Sequence, residues 1–97
     1  MKKQIAIQMD KIESIDYKFD TSFLIGYEAQ QRNYDIFYYN PNDLIIENDN
    51  VQARGFYLQL KLDENDYFQY ISEKTNVDLK NFNFIFMRQD PPFDMNY

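Results

Sequence analysis

The residues with the most chemical potential follow two apolar runs of the chain. The first run ends in Met9-Asp10, and the last ends in Arg88-Gln89-Asp90. If both runs are neighbouring parallel strands of an open α/β sheet, their carboxyl ends share one edge, where ligands collect. Asp10, Arg88 and Asp90 would then lie on a common rim. An arginine in that place suits bidentate recognition of a carboxylate.

The segment after Arg88 is stiffened by a Pro-Pro pair that follows Asp90. Prolines fix φ and remove backbone donors, so the strand cannot continue and Asp90 is pushed toward an extended conformation. Such a turn would hold Arg88 and Phe93 in fixed directions, which predicts a substrate-binding role for both. The same spacing also fits an ordinary turn in which Arg88 pairs with Asp90 or Asp94. The carboxylates of Asp90 and Asp94 could also bind a magnesium ion, which is a weaker alternative.

Other kinds of site receive less support from the residues. Ser22 lies near the start of a predicted helix, where its hydroxyl could bind an anion or simply cap the helix. No glycine follows the first strand, so the chain has no dinucleotide fingerprint or phosphate loop. It has no Cys and no His, which excludes Cys/His nucleophiles, thiolate zinc sites and disulfides. We assign no catalytic residue, no cofactor-binding residue and no metal ligand in this chain.

Composition narrows the class of protein. The chain has 97 residues, enough for one domain with a core but few for a multi-substrate enzyme. Its formal net charge of -6 argues against nucleic acid and anionic membranes as partners. No run approaches the roughly 20 apolar residues of a membrane span, and the initial apolar run is too short for a signal peptide. We therefore expect residues 1–97 to form one soluble, cytoplasmic domain, and the lack of disulfides fits that compartment.

The first 40 residues have the pattern of a βαβ unit. Residues 4–9 alternate between apolar and other side chains, which predicts a strand with one buried face. Residues 35–39 predict a second strand, closed by Asn40-Pro41-Asn42-Asp43. Between them we expect a helix from a cap at Asp20 or Thr21 to about Arg32. Strand, helix and strand in this order predict a parallel pair with a right-handed crossover.

Inside the predicted helix, Phe23, Leu24 and Tyr27 form an apolar stripe. Gly26 stands mid-helix, where glycine costs about 1 kcal/mol relative to alanine. We expect a close approach of the helix to the sheet at this residue. Asn33 suits the left-handed conformation that ends many helices.

The remainder predicts a β-hairpin and a final strand. Leu44–Glu47 and Val51–Leu62 flank the turn Asn48-Asp49-Asn50, and the apolar phase of the second arm changes at Gly55, which predicts a β-bulge there. Residues 67–71 fit a strand or a short helix. Residues 83–87 form a nearly continuous apolar run, typical of a central strand covered on both faces. The predicted fold is an open three-layer, Rossmann-like α/β domain with a mixed sheet and a β-hairpin insertion.

Several segments resemble one known family. Residues 87–94, Met-Arg-Gln-Asp-Pro-Pro-Phe-Asp, are similar to the MRKDPPFD segment of prokaryotic glutathione synthetases. Residues 7–10 resemble the family's strand ending in Met-Asp-Pro-Ile, and residues 20–23 with 27–32 resemble its helix D-S-S-F…L-E-A-Q-R-R-G. The similarity spans essentially the whole chain in order and spacing, and the eight-residue segment is the most specific. The chain departs from the family at Lys11, where Pro is usual, at Gln89, where Lys or Thr is common, and at Asn33, where Gly is common.

The resemblance implies the N-terminal, pre-ATP-grasp domain of an ATP-grasp ligase. Such enzymes join γ-glutamylcysteine to glycine, with ATP and magnesium held by later domains that this chain lacks. The N-terminal domain contributes a wall of the dipeptide site and part of a homo-oligomer contact. The resemblance therefore implies a partial substrate site formed by Asp10, Ser22, Arg88, Asp90 and Phe93.

Three interpretations of function follow. The first is a piece of a glutathione synthetase, inert alone, whose exposed docking surface at Phe93, Met95 and Tyr97 would favour self-association. The second is a related ATP-grasp ligase that forms a different amino-acid bond. The third is a stand-alone small-molecule or protein-binding module derived from such a ligase.

Overall fold

The computed structural model describes residues 3–9, 12, 20–63 and 65–87 of the chain. These residues form one mixed sheet with a helix on one face. The elements are β1 (Gln4–Gln8), α1 (Thr21–Gln31), β2 (Asp35–Glu47), β3 (Asn50–Leu60), β4 (Phe68–Tyr70), β5 (Thr75–Asp78) and β6 (Phe84–Met87), with a 3₁₀ turn at Leu79–Asn81 before β6. The strand order is β4-β3-β2-β1-β6, and β5 pairs with β3 beside β4. The predicted α/β class and mixed sheet are confirmed.

β1 lies at the centre of the parallel part of the sheet. It runs parallel to β2, with Gln8 opposite Tyr39, and parallel to β6, with Gln8 opposite Met87. The predicted parallel pair of the βαβ unit is therefore confirmed. The first and last apolar runs are also parallel neighbours, as the shared rim requires.

Local signals place both ends of α1. Asp20 is the N-cap, and its side chain accepts a hydrogen bond of 2.9 Å from the backbone N–H of Phe23. Asn33 follows the helix with a φ of 68°, the left-handed conformation that asparagine tolerates better than most residues. Both predictions are confirmed.

The helix approaches the sheet most closely at Gly26. A Cβ atom there would lie 2.9 Å from Cδ1 of Ile7 and 3.0 Å from Cδ1 of Leu60, so the expected close approach is confirmed. The predicted stripe is wrong at Leu24, whose side chain is 44% exposed. The buried stripe instead follows Phe23, Gly26 and Gln30, at the spacing of one helix face, and leaves Leu24 on the flank.

The sheet has a core on each face. The helix-side core contains residues from β1, α1, β2 and β3: Ile5, Ile7, Met9, Ile12, Phe23, Ile36, Tyr38, Leu58 and Leu60. The opposite core consists of Ala6, Phe37, Tyr39, Ala53 and Leu79. β1 is therefore covered on both faces, and the expectation of one buried face was incomplete.

The β2–β3 hairpin differs from the prediction in two respects. β2 does not close at residues 40–43 but continues to Glu47, and these four residues lie opposite the single residue Arg54 of β3. The irregularity predicted at Gly55 therefore lies on the partner strand. β3 keeps its register because its odd positions face the opposite core and its even positions face the helix-side core. The turn lies at the predicted position but is one residue shorter, because Asn50 already belongs to β3. Asn48 and Asp49 have φ values of 48° and 68°, typical of a two-residue hairpin turn.

In the last third of the described chain, the structure decides one open alternative and shows that one prediction was wrong. Residues 68–70 form a strand, which settles the open choice for that segment, whereas β5 and the 3₁₀ turn were not predicted. β6 was predicted to be central, yet it lies at the edge of the described sheet with Phe84 58% and Met87 56% exposed. An apolar run shows that a strand can be buried on both faces, but the elements that pack beside the strand determine whether it is buried. No helix in the described part of the chain is long and apolar enough to cross a membrane.

Candidate functional site

The carboxyl ends of the parallel strands define the candidate site, called here the carboxyl rim. Gln8 ends β1, Met87 ends β6, and Tyr39 is the β2 residue paired with Gln8. Ser22 lies in the first turn of α1, the helix that crosses over from β1 to β2. In a βαβ unit the crossover helix runs antiparallel to the strands, so its first turn belongs to the same edge.

Four of the five predicted site residues, Asp10, Arg88, Asp90 and Phe93, lie outside the described residues. Their roles, and those of Gln89 and Asp94, remain predictions. The structure does bring Gln8 and Met87 into register. The two segments that contain the predicted residues therefore continue from adjacent strand ends.

Ser22, the fifth predicted residue, is fully buried. It is not the helix cap, because Asp20 accepts the hydrogen bond from the first turn. The Ser22 hydroxyl has no hydrogen-bond partner among the described residues. A buried polar group without a partner costs about 1–3 kcal/mol, so this hydroxyl has capacity for a ligand or a water molecule.

Sequence reasoning missed two further polar groups on the rim. The Oε1 atom of Gln8 and the hydroxyl of Tyr39 are buried, and neither has a partner within the described ranges. Both side chains lie on the face of the opposite core, and the two residues are register partners. A glutamine that ends an otherwise apolar strand was the available signal for the first. Nothing in the sequence distinguished Tyr39 from Tyr38.

The three rim groups without hydrogen-bond partners among the described residues belong to Gln8, Ser22 and Tyr39. Burial raises the pKa of the Tyr39 phenol above its ordinary value, so the neutral hydroxyl can donate and accept hydrogen bonds. Gln8 and Ser22 contribute an amide and a hydroxyl. Gln8 and Tyr39 can together orient a polar ligand on one face of the sheet, whereas Ser22 belongs to the helix that packs on the other face.

No metal centre is formed by the described residues. No three His, Cys, Asp or Glu side chains come together within those ranges. Magnesium prefers carboxylate and phosphate oxygens, and the carboxylate of Asp20, at the start of α1, already accepts a hydrogen bond from the backbone N–H of Phe23.

Comparison with known proteins identifies one family. The family described as "Prokaryotic glutathione synthetase, N-terminal domain" matches residues 3–97. The chain is 39% identical over 97 residues to the glutathione synthetase of Mesorhizobium japonicum, covering 100% of this chain and 31% of that protein. It is 40% identical over 95 residues to that of Agrobacterium fabrum, covering 98% of this chain and 30% of that protein. It is 42% identical over 94 residues to that of Vibrio cholerae, covering 97% and 29%. The chain thus spans about a third of the length of these relatives.

Proposed function

Because the chain belongs to the family of prokaryotic glutathione synthetase N-terminal domains, we propose that it is the substrate-recognition domain of such a ligase. The complete enzyme joins γ-glutamylcysteine to glycine while ATP is hydrolysed to ADP. This domain supplies part of the dipeptide site and is inert alone. The identities of 39–42% to named glutathione synthetases support this assignment.

The observation that carries the proposal is the parallel pairing of β1 and β6. Their last residues, Gln8 and Met87, are register partners, so Asp10 and Arg88 follow strand ends at one edge of the sheet. γ-Glutamylcysteine carries two carboxylates and an ammonium group. In the proposal Arg88 binds a carboxylate as a bidentate donor, and Asp10 and Asp90 accept from the ammonium group.

Polar groups without partners among the described residues lie at the same edge of the sheet, with Gln8 and Tyr39 on one face and Ser22 in the helix on the other. The Ser22 hydroxyl, the Tyr39 hydroxyl and the Gln8 carbonyl oxygen are buried and unpaired within the described chain. A peptide ligand or an ordered water molecule would satisfy them. Phe93 would supply an apolar contact to the dipeptide.

The proposal assigns ATP and magnesium to the rest of the ligase, in its ATP-grasp domains. Within the described residues no three His, Cys, Asp or Glu side chains come together. No step of the phosphoryl or acyl transfer is therefore assigned to them. We further propose a cytoplasmic enzyme that assembles as a homo-oligomer through contacts that include this domain.

A direct assay tests whether the domain is inactive without the rest of the proposed ligase. The purified 97-residue chain, mixed with ATP, magnesium, γ-glutamylcysteine and glycine, should release no phosphate above the buffer background. The full-length ligase in which this domain is proposed to function should release phosphate only when both amino-acid substrates are present. Turnover by the chain alone would contradict the proposal. A reading frame that closes directly after Tyr97 would favour a stand-alone binding module instead.

A further inference from the structure

A cavity of about 290 Å³ lies at the base of the β2–β3 hairpin. Its walls come from the irregular part of β2, from β3, and from the end of β4 and the chain that follows it. Among its lining residues are Asp43, Arg54, Phe56, Tyr70 and Lys74. This volume is near the lower limit of small-molecule sites, which span roughly 300–1,000 Å³.

The irregular pairing of the hairpin creates this cavity. Residues 40–43 of β2 face only Arg54 of β3, so β2 bends away from its partner. The side chain of Asn40 holds this excursion by accepting a hydrogen bond of 2.9 Å from the backbone N–H of Asn42. Gly55 also lines the cavity, and a Cβ atom at that residue would collide with the backbone carbonyl oxygen of Tyr38. The cavity is therefore a feature of the strand geometry.

The charge in the cavity differs from that of the chain as a whole. Lys74 pairs with Asp43 at 3.5 Å, whereas Arg54 makes no ion pair with any described residue. The other paired cations of the described chain, Arg32, Lys61 and Lys80, each lie within 4 Å of a carboxylate. In a protein of net charge -6, the lining of the cavity thus combines two cations with one carboxylate, and no carboxylate of the described residues pairs with Arg54.

Aromatic residues line the same cavity as Arg54. The ring centroids of Phe56 and Tyr70 are 4.4 Å apart, and both residues line the cavity together with Tyr38. Aromatic faces provide apolar contact for a flat ligand, and a guanidinium group provides two parallel donors for a carboxylate.

We propose that this cavity binds a small aromatic carboxylate. Arg54 donates to the carboxylate, Lys74 adds a second positive charge, and the ring of the ligand packs against Phe56 and Tyr70. The ligand class differs from the dipeptide assigned to the carboxyl rim, because γ-glutamylcysteine has no ring. The two proposals therefore stand or fall separately.

Benzoate is the probe that tests this site. A titration of the ¹⁵N-labelled chain followed by NMR should shift amide signals of residues 54–56 and 70–74. Benzyl alcohol has the ring without the charge and acetate has the charge without the ring, so each should bind about tenfold more weakly or worse. Shifts centred elsewhere, or equal affinity for benzoate and benzyl alcohol, would overturn the proposal.

Matched variants identify the cation responsible. Arg54→Ala should raise the Kd for benzoate by about tenfold or more, since it removes a charge-assisted hydrogen bond. Arg54→Lys should recover part of the affinity. Arg32→Ala removes an exposed arginine of α1 that does not line the cavity, and its Kd should equal that of the unmodified chain. If Arg54→Ala keeps both a folded spectrum and the original Kd, the site is not the one proposed.

Discussion

Gln4 and Gln8 lie on the same face of β1, at opposite ends of the strand, and each has a tyrosine nearby in the sheet. At the amino end, the Tyr57 hydroxyl donates to Oε1 of Gln4 at 2.7 Å. At the carboxyl end, Oε1 of Gln8 and the Tyr39 hydroxyl are both buried, and neither has a partner among the described residues. The glutamine amide and the tyrosine hydroxyl are therefore hydrogen-bonded to each other at the amino end of β1, whereas at its carboxyl end neither group has a partner among the described residues.

This difference distinguishes the structural part of the domain from the candidate site at the carboxyl rim. Away from the rim, polar groups in the helix-side core are also closed. The Gln30 amide donates to the carbonyl oxygen of Leu60 at 2.8 Å and accepts from its N–H at 2.7 Å, and the Tyr67 hydroxyl donates to the carbonyl oxygen of Ile12 at 2.7 Å. Unmet hydrogen-bond capacity collects at the carboxyl rim, where a substrate is proposed to bind.

The largest loss of stability is expected for a substitution in β3, the strand that contains Tyr57 and pairs with Tyr39. Gly55 faces Tyr39 across the β2–β3 pair, and a Cβ atom there would collide with the Tyr38 carbonyl oxygen. Gly55→Ala should lower the free energy of unfolding by about 3 kcal/mol or more, because strand backbone must move. Urea denaturation followed by circular dichroism measures this loss.

Gly26→Ala is the matched control for that substitution. Its Cβ atom would meet only the ends of the Ile7 and Leu60 side chains, at 2.9 and 3.0 Å. The gain in helix propensity, about 1 kcal/mol, offsets the repacking, so the net change should stay within about 1 kcal/mol. Equal losses for the two alanine variants would show that the hairpin tolerates a side chain at Gly55.

The two phenols give the sharpest comparison of the two ends. Tyr57→Phe removes a hydrogen bond and leaves Oε1 of Gln4 without its donor, so we expect a loss of about 1 kcal/mol in unfolding free energy. Tyr39→Phe removes a buried hydroxyl that has no partner among the described residues, and stability should be unchanged or slightly higher. A comparable loss in both variants, again by urea denaturation, would mean that the carboxyl end is closed as well.

The pH dependence of stability tests the same hydroxyls. Burial raises the pKa of Tyr39, and burial together with the negative charge of Asp35 raises that of Tyr57. The folded state thus favours the neutral phenols. This contribution is intact below the unfolded pKa of about 10 and is lost as pH rises through the higher folded values.

The unfolding free energy should therefore decline above about pH 10. Tyr39→Phe should make the decline shallower, because one buried phenol no longer has to ionise. Thermal unfolding in a series of alkaline buffers provides the measurement. An unchanged slope in the variant would indicate that Tyr39 is not buried in solution.

The smallest effect is expected on the surface, away from both ends. Glu28 and Arg32 form an i,i+4 ion pair of 3.1 Å, with side chains 64% and 73% exposed. Arg32→Ala should cost no more than about 0.5 kcal/mol, and less at high salt. A loss above about 1 kcal/mol, measured by urea denaturation at two salt concentrations, would contradict this.

The features that could be predicted from sequence are those determined by near neighbours. The cap at Asp20, the left-handed Asn33 and the close approach at Gly26 depend on local chemistry, and the structure has all three. The edge position of β6 and the burial of Ala6 depend on elements distant in sequence. For the same reason the sequence did not indicate Gln8 and Tyr39 as rim groups, because strand register determines which polar side chain finds a partner.

The most direct test of the central claim uses the complete ligase and changes only Arg88. Steady-state kinetics should show that Arg88→Ala raises the KM for γ-glutamylcysteine by about tenfold or more and leaves the KM for ATP unchanged. Arg88→Lys should recover part of the loss, and Arg32→Ala should behave as the unmodified enzyme. An unchanged KM for the dipeptide in Arg88→Ala would contradict the claim that the rim of this domain recognises the substrate.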